Sequence, residues 1–273
     1  MEIINDLISN NIYGNVKSIS SKVFSISNNG SDELAKLLKY KQLTKYNIDG
    51  FKVYEEMVTN YNKSFSTFKY DDLSRLVELE HSTQGGRYGG KVMYSYDKNK
   101  TKKQELDTNG RIKKSTIKKL NEFGLPYEMK IYDEKDKLIG VEKFEYDENG
   151  NLLNHVKETP EQSKVMSTSY GYDDDGNKIF SKNANGIIEY RYNSRGLLCK
   201  VINNANREKY RFISAKKYDS FGHIVSMSTI KESQSDIVVK YHLTLDKVNN
   251  IIYSETNKDG KVIKAIQKHI EYY

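Results

Sequence analysis

Short runs in which apolar and polar residues alternate with a period of two recur along nearly the whole chain, the pattern of strands with one buried face. The runs end alike: an aromatic residue or Leu, then Asp or Asn, then usually Gly three residues later. This ending occurs as Tyr46-Asn47…Gly50, Tyr70-Asp71, Tyr96-Asp97, Leu120-Asn121…Gly124, Tyr146-Asp147…Gly150, Tyr172-Asp173…Gly176, Tyr192-Asn193…Gly196, Tyr218-Asp219…Gly222 and Leu245-Asp246. Its period is about 25 residues. In five units a second aromatic stands two residues earlier (Phe68/Tyr70, Tyr94/Tyr96, Phe144/Tyr146, Tyr170/Tyr172, Tyr190/Tyr192). Residues i and i+2 share a strand face, so these pairs predict an aromatic row on one side of a sheet.

Asp or Asn opening a type I turn accepts backbone N–H bonds from residues further along it. Gly at the fourth position takes the positive φ that closes a hairpin with a one-residue bulge. Ser74, Lys100 and Asn249 replace that Gly in three units; Asn tolerates positive φ, whereas Lys100 fits poorly. A looser set of turns lies between, clearest at Asp107…Gly110, Asn183…Gly186 and Asn257…Gly260. Each unit therefore reads strand, turn, strand, turn. The expected fold is all-β, a long antiparallel up-and-down meander of nineteen strands if every turn is real. So long a twisted sheet should curl into a spiral strip, a partial barrel or two packed layers, and a closed barrel would remove its edges altogether. Residues 1–45 precede the regular repeats and read as a capping segment, with 46–273 as one continuous repeat domain. Within the cap, Val16 to Ile26 alternates as a strand. Ser31-Asp32-Glu33 predicts a short helix start with Leu34, Leu37 and Leu38 on one face.

The unit resembles the YD-repeat, or RHS-repeat, family, whose motif is Tyr-Asp-x-x-Gly followed by Asn or Arg and an apolar residue. Tyr146-Asp-Glu-Asn-Gly-Asn-Leu152, Tyr172-Asp-Asp-Asp-Gly-Asn-Lys178 and Tyr192-Asn-Ser-Arg-Gly-Leu-Leu198 carry the likeness, which covers residues 40–262. Large members of that family wind β-strips into hollow shells around a toxin. This chain is too short for that and lacks the Asp-Pro-x-Gly-Leu signature, its only prolines being Pro126 and Pro160. It is similar to small, free-standing bacterial YD-repeat proteins, which implies a setting among toxin, immunity or competition systems.

With 37% hydrophobic residues and a mean hydropathy of −0.77, the chain is poor in core formers, and its 22 Tyr must supply much of the burial, hydroxyl ends toward water. The lone Cys199 alternates with Leu197 and Val201 and reads as a strand residue. The start Met-Glu-Ile-Ile-Asn-Asp has no basic n-region and no apolar run, and no membrane-spanning stretch follows. The expected location is cytoplasmic, or periplasmic or surface-held if a leader was removed before Met1. The net charge is +7, and the span from Lys98 to Lys119 is strongly basic. Lys102, Lys103, Lys113, Lys114, Lys118 and Lys119 are its candidate contact residues, for an acidic protein or a phosphate backbone. With few Arg and no nucleic-acid module, nucleic acid is the weaker expectation.

Catalytic patterns are missing. The five His are scattered, no HExxH, GxSxG, GxGxxG or P-loop occurs, and the acidic pairs coincide with turns. Asp147, Asn149, Asn151 and Glu158 fall at calcium-loop spacings, but Leu152 stands where that loop needs Gly. The reading is a non-enzymatic protein without cofactor or metal. The strand ends opposite the Tyr-Asp turns vary most, with long tips at 82–90, 159–164 and 232–236. Gln84, Arg87, Tyr88, Glu161, Gln162, Glu232, Gln234 and Asp236 are the candidate binding residues there. The expected partner is another protein, a toxin or an envelope component. The alternative is a glycan or cell-envelope ligand stacked on exposed Tyr rows, with no insertion into a membrane.

Overall fold

The computed structural model describes residues 5–10, 12–28, 34–84, 89–160, 164–231 and 234–273. A single helical turn, α1 (Asp6–Ser9), precedes twenty strands. The first ten are β1 (Val16–Asn28), β2 (Leu34–Tyr46), β3 (Lys52–Thr59), β4 (Lys63–Tyr70), β5 (Leu76–Thr83), β6 (Gly89–Asp97), β7 (Lys100–Leu106), β8 (Ile112–Leu120), β9 (Pro126–Tyr132) and β10 (Leu138–Tyr146). The rest are β11 (Leu152–Thr159), β12 (Lys164–Tyr172), β13 (Lys178–Asn183), β14 (Gly186–Tyr192), β15 (Leu198–Ala205), β16 (Phe212–Tyr218), β17 (Ile224–Lys231), β18 (Gln234–Leu245), β19 (Ile251–Lys258) and β20 (Lys261–Tyr272). Each strand pairs antiparallel with its neighbours in sequence, and β1 pairs with both β2 and β20. The meander therefore closes into a twenty-stranded barrel. Closure answers the problem of a very long sheet, because it leaves no unpaired edge.

The expected helix is not formed. Its start at 31–33 lies outside the described residues, and Leu34, Leu37 and Leu38 are in β2. They pair in unbroken register with β1, Leu38 opposite Phe24, Leu37 opposite Ser25 and Leu34 opposite Asn28, so Leu37 lies on the other face from Leu34 and Leu38 and is exposed. Residues 16–45 thus supply β1 and nearly all of β2 to the same wall as the repeats. That hairpin is the strand pair the repeat count of nineteen left incomplete.

The turns form as the repeat requires. At the β10–β11 connection, Asp147 N donates to Asn151 O (2.9 Å) and Gly150 N to Asp147 O (3.1 Å). Asp147 Oδ1 accepts from Asn149 N (3.0 Å) and Asn151 N (2.7 Å). Gly150 sits at φ 83°, and Ser74 (59°) and Asn249 (69°) hold the same left-handed position in their units. Lys100 does not: it is the first residue of β7, and a two-residue turn at 98–99 replaces the bulged one.

These donors act on the turn carboxylates. The amide of Asn151 with the turn N–H groups holds Asp147 below the ordinary carboxylate range, and the Arg111 and Lys137 amides do so for Asp107 and Asp133. A folded pKa below the unfolded one adds stability above about pH 4 that disappears as pH falls through the folded value. The urea midpoint is therefore expected to drop on acidification, and Asp107→Asn with Asp133→Asn, which keep the acceptor oxygen, should flatten that acid limb.

The turn-proximal tyrosine hydroxyls of the repeat do not end in water, whereas others, such as that of Tyr61, are exposed. Tyr146 donates to Pro126 O (2.9 Å), Tyr172 to Leu152 O (3.0 Å), Tyr218 to Leu198 O (2.6 Å) and Tyr96 to Leu76 O (2.7 Å), in each case a carbonyl 20 residues back. Each carbonyl lies at the start of the neighbouring strand, where the ladder has ended. The repeat's Tyr is thus a staple between adjacent hairpins. Tyr146→Phe should cost about 1 kcal/mol in a urea melt, the net worth of one such bond, with no change in strand content by circular dichroism.

The barrel is hollow. A compact monomer of 31.7 kDa exposes about 12,000 Å²; this chain exposes 18062 Å². Twenty strands spaced about 4.8 Å and tilted about 40° make a circumference of about 125 Å, more than side chains can fill. Among the described residues the buried cluster is small: Leu7, Val16, Ile19 and Tyr46, with Ile12, Ile270 and Tyr272 packed against it.

Candidate functional site

Directly opposed residues of an antiparallel ladder share a face, so the registers sort every strand residue into two sets. The tyrosine set faces the lumen. One cavity of about 660 Å³ is lined from this set by consecutive strands β16 to β20 and β1, through Tyr218, Tyr241, Ser254, Ile266, Lys268 and Ile19. Only a concave wall can surround a space that way. The segment before β1 lies over the same face. Leu7 N donates to Gly50 O (3.3 Å), and Tyr13 and Asn250 exchange two bonds of 2.7 Å, so the segment crosses from the first Tyr-Asp turn to the last. Tyr46 and Tyr70 point at its Asp6. Burial, then the Asp6 charge, pushes the Tyr46 hydroxyl up to about 12 and raises that of Tyr70 further.

The basic span does not form one patch. Tyr94 faces Lys103, Thr101 faces Lys118 and Glu105 faces Lys114, which puts Lys103, Lys114 and Lys118 on the lumenal face. Their neighbours Lys102 and Lys119 point outward, whereas Lys113 is the unpaired residue at the β7–β8 bulge and lines a cavity with Leu79, Val92 and Glu105. The wall thus splits Lys102 from Lys103 and Lys119 from Lys118.

The two surfaces differ in charge balance. Outside, lysines interleave with acids in cross-strand pairs: Glu78 with Lys69 (2.8 Å) and Lys91 (3.2 Å), Glu128 with Lys119 (2.8 Å), and Glu158 with Lys143 (2.9 Å). Inside, the described strand acids are Glu55, Glu105 and Glu142, and each already has a cation. Lys52 holds Glu55 at 3.3 Å, Lys103 holds Glu105 at 2.7 Å, and Lys157 with His155 holds Glu142 at 3.1 and 2.7 Å. His155 also stacks on Phe144 at 4.6 Å. Lys178 lies over the rings of Tyr170 and Tyr190, at 5.6 and 4.7 Å. Lys114, Lys118, Lys216, Lys264 and Lys268 share the lumenal face and make no ion pair among the described residues. A concave wall carrying unneutralised cations focuses a positive potential into the space it encloses.

Of the residues expected at the variable tips, Gln84 is exposed at the end of β5, its backbone N donating to Lys63 O (2.8 Å). Arg87, Tyr88, Glu161, Gln162 and Glu232 lie outside the described residues. Gln234 and Asp236 have their backbone in β18, with side chains likewise outside the description. The same end of the barrel carries a cavity of about 620 Å³ lined by Asn183, Asn185, Asn203, Asn206, Arg207 and Tyr210. These amides read as turn residues in the sequence, and only the strand pairing gathers them. Cys199 falls at the bulge where Arg191 faces Lys200 and Tyr192 faces Leu198, its Sγ 3.4 Å from Arg191 O.

No protein-family model and no curated protein matches this chain. Among solved structures, a porin-like protein from Bacteroides uniformis is 12% identical, over 94% of this chain and 96% of that one, with a TM-score of 0.41. TcdB2-TccC3-TEV is 14% identical over 85% of this chain and 16% of its own length (TM-score 0.36). TcdB2-TccC3-Cdc42 is 11% identical over 85% and 19% (TM-score 0.33). What the three have in common with this chain is a β-rich fold.

Proposed function

We propose that this protein is a non-enzymatic binding protein whose partner is another protein, received through an acidic segment in the lysine-lined lumen. The observation that carries this reading is the set of lumenal lysines without acidic partners among the described residues, Lys114, Lys118, Lys216 and Lys264 foremost, in a hollow barrel whose described lumenal strand acids, Glu55, Glu105 and Glu142, are already paired. Their long stems and mobile ammonium groups suit an extended acidic chain better than a rigid small ligand. The exterior argues for a wall in water. Glu78, Glu128 and Glu158 with their lysines stand where a membrane barrel needs an apolar band, and each cation at a bilayer midplane would cost about 2–4 kcal/mol. The Tyr rows argue less for glycan stacking, because the turn-proximal hydroxyls are spent on the neighbouring hairpins. The Tyr-Asp repeat, as a likeness to the YD-repeat proteins, favours a toxin, immunity or competition setting for the partner.

The test uses the two halves of the split basic span. Fluorescence anisotropy with a labelled oligoglutamate should show binding that weakens with salt. Lys103→Glu/Lys114→Glu/Lys118→Glu should lose roughly tenfold or more, and the outward-facing Lys100→Glu/Lys102→Glu/Lys119→Glu about twofold or less. Equal losses in the two triple variants would reduce the effect to net charge and remove the lumen from the argument.

A further inference from the structure

One lumenal lysine differs from the rest in its surroundings. Lys268 lines the cavity of about 660 Å³ together with Ile19, Leu243, Ile251, Ile266 and Ile270, and with Tyr218 and Tyr241. Its place in β20 is opposite Ser21, between Ile266 and Ile270 on the same face. No Asp or Glu lines the cavity, and the Nζ of Lys268 makes no ion pair or hydrogen bond among the described residues. Burial alone pushes this ammonium below the ordinary lysine range. Three of the other polar side chains around the space are committed elsewhere, His223 Nδ1 to Asp219 (3.0 Å), the Tyr218 hydroxyl to Leu198 O (2.6 Å), and Asn250 to Tyr13 and Tyr272, which leaves the Tyr241 and Ser254 hydroxyls beside Lys268 as neutral groups. One side is walled by Asn10 and Ile12 of the crossing segment.

A half-buried cation without a counter-charge is costly, and an apolar cavity of a few hundred Å³ with one oriented charge has the ordinary build of a small-ligand site. We infer that this cavity binds an amphipathic monocarboxylate, its aliphatic chain against the isoleucines and its carboxylate on Lys268. The chain of such a ligand replaces water over Ile19, Ile266 and Ile270, where burial is favourable. Its head supplies the missing partner, a charge-assisted bond that an alcohol of the same length would not make. The site is separate from the acidic-partner reading, because oligoglutamate offers no aliphatic chain and the triple variants above leave this cavity untouched.

Titration calorimetry of the full chain with dodecanoate tests it, with dodecanol, acetate and dodecyl phosphate alongside. Saturable binding near one equivalent is expected for dodecanoate, with dodecanol and acetate each weaker by roughly tenfold or more. Lys268→Met should lose roughly tenfold for dodecanoate and nothing for dodecanol, while melting no lower than the parent because it removes an unpaired charge. Lys268→Arg should retain binding. Ser254→Glu, opposite Ile266 and so one pleat from Lys268, puts a carboxylate in the cavity and should displace the ligand even if the methionine variant does not fold. Dodecanoate bound equally by parent and Lys268→Met, or not at all, overturns the site. Tighter binding of dodecyl phosphate overturns the carboxylate assignment.

Discussion

Val16→Asp is expected to be the most damaging single substitution in this chain, costing about 4 kcal/mol or more and populating an open, association-prone sheet. Val16 has 0% exposure and packs with Leu7, Ile19 and Tyr46 at the seam where β1 meets β20, facing Tyr272 across it. The described residues packed in that cluster offer a carboxylate no cation, and the substitution also forfeits the valine's burial, about 1.5–3 kcal/mol. Single domains hold about 5–15 kcal/mol in total, so most of the margin goes at one residue. Because that residue sits on the closing pair, the loss is directional: β1 and β20 separate and each presents an unpaired edge. Urea melts should show the shift, and light scattering at the midpoint should show association that Val16→Ala, with its smaller loss, avoids. Ile213→Asp, on the exterior at 36% exposure, is the matched control and should move the midpoint by less than about 1 kcal/mol. If the two aspartates behaved alike, the seam would not be what holds the barrel shut.

The second large effect is expected at Gly186, the first residue of β14. Its φ is 138°, and a Cβ there would strike the carbonyl oxygen of Asn204 and come within 2.7 Å of Ala205 Cα, both backbone atoms of the paired strand. Nothing flexible can move aside. Gly186→Ala should therefore cost about 3 kcal/mol, strain and collision together, and should unpair the β14–β15 end where Gly186 faces Ala205. Gly196→Ala is the contrast. That turn glycine also has a positive φ, 71°, but open space around it, so only the left-handed penalty of about 1–2 kcal/mol remains. Hydrogen exchange resolved to β14 and β15 would separate a local opening from a global one. A Gly186→Ala protein with parental protection in both strands would contradict the collision.

The turns were legible because their chemistry is local. Asp147 and its counterparts need only residues within four positions to make the bulged hairpin, and even the substitutes Ser74 and Asn249 follow from tolerance of positive φ. Closure was not legible, since no residue of β20 names β1 as its neighbour; the pairing is a fact about the whole circumference. The hydroxyl staples were hidden for a related reason: their acceptors are main-chain carbonyls, which carry no sequence identity. Leu34, Leu37 and Leu38 misled because Leu37 is an apolar residue on the exposed face of β2, and with its two neighbours it imitates helical spacing. The division of the basic span could have been read from the sequence. Lys102/Lys103 and Lys118/Lys119 are adjacent pairs within regular strand, and period-two alternation must send the members of each pair to opposite faces, whereas Lys113 sits at a bulge that alternation does not reach. The Lys268 cavity could not, because Ile19 and Leu243 reach it from strands far apart in the chain.

Closure of β1 on β20 also constrains how such a chain can change length. Neighbouring strands run in opposite directions, so a ring of them shuts antiparallel only if their number is even. A duplication that adds one whole two-strand unit preserves that parity and merely widens the ring. Gain or loss of a single strand would leave first and last running the same way, with the wrong bond pattern at the join. Tandem copying of complete repeats therefore keeps the ring antiparallel throughout, whereas gain of a single strand would put one parallel, less stable pair at the join.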